Sequence, residues 1–117
     1  MRMSDHMKCN CEQEKCYEIK VEADVGADPF WCQRCGYNFD LDPFTLSMEL
    51  KIELLNWMVQ YGEWIDWDTD KLVENGVKLE EKHNIEGERL TERVKKELGA
   101  AYRVVFSPSS MARSYAE

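Results

Sequence analysis

Histidine, proline and positive charge in the middle of the chain are what this sequence has least of. It holds two histidines, His6 and His83, and neither has a serine or cysteine and a carboxylate around it in a recognisable order, so nucleophilic catalysis finds no support. Glycine-rich phosphate loops are missing as well, no small-molecule substrate is evident, and the chain reads as a non-enzyme. No apolar run approaches the roughly 18 residues of a membrane span. Residues 1–10 lack the apolar stretch of a secretory signal, so a cytoplasmic location is expected.

Positive charge is scarce where it matters. The formal net charge is −8, with 5 basic and 7 acidic residues in 1–36, 2 and 9 in 37–76, and 8 and 7 in 77–117. The middle third carries nearly all of the excess, which repels phosphate backbones and favours a protein partner with a basic surface.

What the chain does have is cysteine. Five cysteines in a sequence without an export signal argue for reduced thiols used as ligands rather than for a disulfide framework. Cys9-Asn10-Cys11 and Cys32-Gln33-Arg34-Cys35 bracket an extended segment, and two short chelating loops joined by a β-hairpin provide the four soft ligands of a tetrahedral zinc ion. The expected set is therefore Cys9, Cys11, Cys32 and Cys35, holding one structural Zn²⁺. Gly36 supplies the positive φ that the turn after Cys35 needs. Cys16 is the spare, although a Cys11-x4-Cys16 pair is an alternative first half of the site that would displace Cys9. His6 is a weaker candidate ligand.

The elements follow from pattern. Residues 16–24 alternate, with Tyr17, Ile19, Val21 and Ala23 on one face and Cys16, Glu18, Lys20 and Glu22 on the other, as in a half-buried strand. A turn at 25–29 returns the chain through Phe30 and Trp31 to the second cysteine pair, and 37–39 leads out of it. These residues resemble a zinc ribbon over about a third of the chain. The first pair departs from the ribbon pattern, having Cys-x-Cys where Cys-x-x-Cys-Gly is usual. The resemblance implies a structural metal and little about activity.

Ser47 caps a helix predicted from about Met48 to Tyr61 and stopped by Gly62. Only Glu49, Glu53, Asn56 and Gln60 form a polar stripe, so the helix is expected to be covered on two sides as the central core helix, with an apolar interaction surface as the alternative. The segment Glu63 to Asp70 combines two tryptophans with four carboxylates. Asp66-x-Asp68-x-Asp70 fails as a calcium loop, because the sixth position is Lys71 and the twelfth Val77. An aspartate-capped helical turn over 71–74 is expected instead, and Trp64, Asp66, Trp67 and Asp68 are the candidate partner-binding residues. A second helix over 77–98 places His83 and Gly87 on its apolar stripe, the histidine bonded to a neighbour and the glycine at a close helix crossing. Tyr102 to Phe106 reads as a strand that pairs with the hairpin, and the tail from Ser109 as disordered.

The expected fold is a single α+β domain: a zinc-ribbon-like hairpin lobe over 1–40, a helical lobe with a C-terminal strand over 44–106, and a tail over 107–117. The expected function is a small acidic zinc-binding protein that acts through protein interaction, with a regulatory role. Two alternatives come from other classes. One is a nucleic-acid module using Lys8, Lys15, Lys20 and Arg34, with Trp31, Tyr37 and Phe39 as stacking groups. The other is a thiol redox protein using Cys32 and Cys35, which the helix-breaking residues after Cys35 disfavour.

Overall fold

A computed structural model describes residues 7–12 and 15–112. His6 lies outside them. Among the described residues, six short strands and two α-helices make the α+β architecture expected from the sequence. The strands β1 (Glu18–Val21), β2 (Phe30–Cys32) and β3 (Asn38–Phe39) form an antiparallel meander, followed by α1 (Met48–Val59). Then come β4 (Ile65–Asp66), β5 (Lys71–Leu72), α2 (Gly76–Leu98) and β6 (Arg103–Phe106). The main sheet has the order β3-β2-β1-β6, so the last strand returns across the whole helical region to pair in parallel with β1, Ile19 opposite Val104. This joins the cysteine hairpin and the helices through one sheet.

The sheet's inner face and the two helices share one core. Ile19, Val21 and Phe30 from the sheet meet Leu50, Leu54 and Trp57 of α1 and Leu90 and Val94 of α2, with Phe44 packed edge-on against Phe30 and Phe39. Alternation holds from Ile19 to Ala23 but fails at its start, since Tyr17 is exposed and Cys16 is buried. The reason is local: β1 begins only at Glu18, and Cys16 is instead turned inward, its N–H donating to the Met7 carbonyl at 2.8 Å.

Gly87 is where α2 crosses closely, as its place in the stripe predicts. A Cβ there would lie 2.5 Å from the Trp57 ring and 2.6 Å from that of Phe106. His83 differs from expectation. Its ring stacks on Trp57 at 4.6 Å and 12°, its backbone carbonyl accepts the Trp57 indole N–H, and its Nδ1 has no hydrogen-bond partner among the described residues. Burial outweighs the nearby Glu80 and lowers its pKa to about 4.

Two further expectations are corrected. Residues 71–74 do not form a helical turn: Lys71 and Leu72 pair with Asp66 and Ile65 in a second, two-stranded sheet. Asp66 caps the hairpin turn itself, its Oδ1 accepting the N–H groups of Asp68 and Thr69, and Asp70 takes a φ of 59° to close it. The tail is docked as far as Ala112. The Ser109 N–H donates to the Asn84 side chain, and the Ser109 hydroxyl and the Ala112 N–H both donate to Glu80.

Candidate functional site

The first cysteine pair reaches the second because the chain before β1 is tied down at both ends. Met7 donates its N–H to the Tyr102 hydroxyl and accepts from Cys16, which lays the 9–11 loop against the β2–β3 turn. That turn is shaped by backbone bonds: Cys32 donates its N–H to the Tyr37 carbonyl, Gly36 donates to the Cys32 carbonyl, and Gly36 sits at φ 82°. The sulfurs of Cys9, Cys11, Cys32 and Cys35 all lie within 4.8 Å of one another. Cys11 and Cys32 are 3.6 Å apart. A tetrahedral ion with metal–sulfur bonds of about 2.3 Å has sulfur–sulfur edges of about 3.8 Å, so these four side chains fit a metal ion.

The electrostatics agree with that use. Burial pushes the Cys32 thiol up, but the backbone N–H groups of Cys35 and Arg34 and the thiols of Cys16 and Cys11 turn toward it and hold it at about 6. Cys11 moves the other way, to about 12, because it hydrogen-bonds Cys9 and shares its site with Cys32 and Cys35. The Cys32 thiolate is stabilised in advance, and a cation bound among the four sulfurs would favour ionisation of Cys9 and Cys11 as well. Cys16 stands outside the group of four. It is buried, its Sγ donates to the Glu18 carbonyl at 3.1 Å, and it supports Cys32 from behind.

The tryptophan-rich segment divides in two. Trp64 is 1% exposed, packed edge-on against Tyr61 at 5.7 Å and 5.0 Å from His83, and so belongs to the core and not to a surface patch. Trp67 is 57% exposed and lies over Gly62, donating its indole N–H to that carbonyl. Asp66 and Asp68 are exposed beside it on the hairpin turn. Composition alone does not separate a core tryptophan from a surface one three positions away. The short β4–β5 pairing that turns them to opposite sides left no pattern to read.

Residues of the two alternative readings are also placed. Phe39, one of the proposed stacking rings, is buried against Phe44, and Lys20 is paired with Glu22 at 3.0 Å. Cys32 ends a strand rather than starting a helix.

The expectation that α1 is covered on two sides is overturned. Leu50, Leu54 and Trp57 are buried, but Met48, Ile52, Leu55 and Val59 are 68, 51, 37 and 67% exposed. From the stripe read as polar, Glu53 faces α2, where Arg93 and Arg89 bind it at 2.6 and 3.0 Å. An apolar row is left on the outside. The sequence had offered this as its second choice.

No curated protein matches the chain. A family model described as Serratia CdiI immunity protein-like matches residues 17–109, most of the chain. The matched region includes Cys32 and Cys35, β1 to β6 and both helices, while Cys9 and Cys11 precede it. With sheet, helices and second cysteine pair all inside the match, this chain belongs to the Serratia CdiI immunity protein-like family.

Proposed function

We propose that this protein is an immunity protein: it neutralises a toxin domain by binding it, and it does so without catalysis. The observation that carries the reading is the exposed apolar row of α1 in a member of this family. A contiguous apolar face rimmed by charge is the composition of a protein-binding surface. The acidic excess of residues 37–76, and with it Asp66, Trp67 and Asp68 on the hairpin turn, supports a partner with a basic surface.

Zinc has a structural part in this scheme. Four thiolates leave it no open coordination position, so it stabilises the N-terminal loop against the β2–β3 turn and does not activate water. Thiols stay available as ligands only where they are kept reduced, which supports action in the cytoplasm.

The test is co-expression. A partner toxin domain, expressed alone, should arrest growth; expressed with this chain it should not, and the two should co-purify in a fixed ratio. Unrelieved arrest with no complex formed would remove the reading. Metal analysis of the purified chain should give one zinc per molecule.

A further inference from the structure

An immunity protein needs a surface that fits its partner, and one part of this molecule has both the shape and the charge to say what that partner presents. Met48, Ile52, Leu55 and Val59 recur at intervals of four, three and four residues, so they stand in one row along α1, opposite the buried Leu50, Leu54 and Trp57. Such a row is about 16 Å long at 1.5 Å per residue. Over its first half it forms one wall of a groove of about 340 Å³. The groove is also lined by Asp40 and Asp42, from the segment between β3 and α1, and by Asp28, from the β1–β2 turn, whose Oδ2 accepts the Leu41 N–H at 3.0 Å. Lys51 is the one cation lining the groove, and its ammonium donates to the Asp42 carbonyl at 2.8 Å. Three carboxylates against one ammonium leave the groove negative.

We propose that this groove and row are the toxin-docking surface, and that the toxin places a lysine or arginine side chain between α1 and the aspartates while its apolar groups cover Ile52, Leu55 and Val59. The proposal rests on the immunity reading above and deepens it. A long basic side chain matches both walls at once, its aliphatic stem lying along Met48 and Ile52 and its charged head reaching the carboxylates. A second copy of this chain does not fit as well, because two such faces together bring aspartates against aspartates. Nucleic acid is repelled by the same groups. A larger groove, between α1 and the first half of α2, is lined by Glu53, Glu63 and Glu86 against Lys82, but Arg89 and Arg93 pair with Glu53 and Arg89 with Glu86, so two of its three carboxylates are already neutralised within the chain.

The experiment measures binding of the purified partner toxin domain to four forms of the full chain, each checked for wild-type circular dichroism. The Ile52→Ser/Leu55→Ser variant should bind at least about 100-fold more weakly, as loss of central anchors does. Asp40→Lys/Asp42→Lys should associate about tenfold more slowly at low salt and lose most of its salt dependence. Ile85→Ser, on the other groove, should bind as the wild type does. Wild-type affinity in the Ile52→Ser/Leu55→Ser variant overturns the surface while leaving the immunity reading intact. Association indifferent to salt and to the aspartate reversals overturns the basic partner. A wild-type homodimer that Ile52→Ser/Leu55→Ser dissociates overturns the toxin as occupant. Failure of the wild type to bind the toxin at all removes the immunity reading, and this surface assignment with it.

Discussion

The cysteine cluster and the outer row of α1 are placed by the same chain in opposite ways. The cluster gathers four residues from two loops into one small volume, and its members were recognisable singly because few side chains bind a soft cation. The α1 row consists of Met48, Ile52, Leu55 and Val59, any of which is an ordinary core residue; only the arrangement of everything else leaves them outside. The first kind of site is written in residue type and spacing. The second is written in what the rest of the fold covers.

The largest predicted effect falls on the cluster. Cys32→Ser should abolish zinc binding and unfold the N-terminal loop and the β2–β3 turn, since apparent free energies for structural zinc in small domains are about 10–16 kcal/mol near neutral pH. Cys16→Ser should keep one zinc, because Cys16 only supports Cys32 from behind. Metal content and circular dichroism of the two variants check both. A zinc lost with Cys16 and kept without Cys9 would exchange their roles.

This contrast explains how much could be read in advance. The clustering of four cysteines, the hairpin, both helices and the returning strand followed from cysteine spacing, period-two alternation and caps, all of which act over a few residues. Cys16 was put on the polar side because alternation was extended two residues beyond the strand that produces it. Trp64 was a candidate for partner binding because its neighbours are acidic, with core packing as the other reading; its contacts, Tyr61 and His83, come from just beyond α1 and from α2. The docked residues 109–112 depend on Glu80 and Asn84, far away in sequence, and no local pattern in the tail reveals that. The α1 helix was located correctly and its outward side misassigned, because the hydrophobic count says how much could be buried, not by what.

A mid-sized effect separates the inner face of the helix pair from the outer one. Gly87→Ala puts a methyl 2.5 Å from Trp57, whose indole is held by the His83 carbonyl and cannot swing aside freely. A loss of about 1–3 kcal/mol is expected from such overpacking. Urea midpoints measure it. A neutral outcome would mean that α1 and α2 are joined more loosely than their contact implies.

Acid should act on the same joint. His83 titrates near 4 when folded and near 6.5 when unfolded, so between those values the unfolded chain binds the extra proton. Stability that is full above pH 6.5 is therefore lost as pH falls toward 4, with a slope of at most about 1.4 kcal/mol per pH unit from this group. Glu80, which favours the charged ring, trims it. Because any zinc held by the cysteine cluster would be released in acid, the informative quantity is the difference between wild type and His83→Gln across that range, measured with zinc in excess. Parallel pH profiles would show that burial does not keep the ring neutral.

The smallest effect on stability is expected on the outer row, and its smallness is the point. Ile52→Ser and Leu55→Ser remove apolar groups that touch water, so each should move the unfolding free energy by no more than about 0.5 kcal/mol in either direction. Leu54→Ala, one residue from Leu55 and fully buried, should cost about 2–5 kcal/mol. Two neighbours in sequence thus differ severalfold in what they contribute to folding, although a hydrophobicity count treats them alike. A chain gains little stability from exposed isoleucine and leucine, which leaves the row available for the association proposed above. If Leu55→Ser proved as damaging as Leu54→Ala, the row would already be covered within the isolated chain, and α1 would be the two-sided core helix that its composition first suggested.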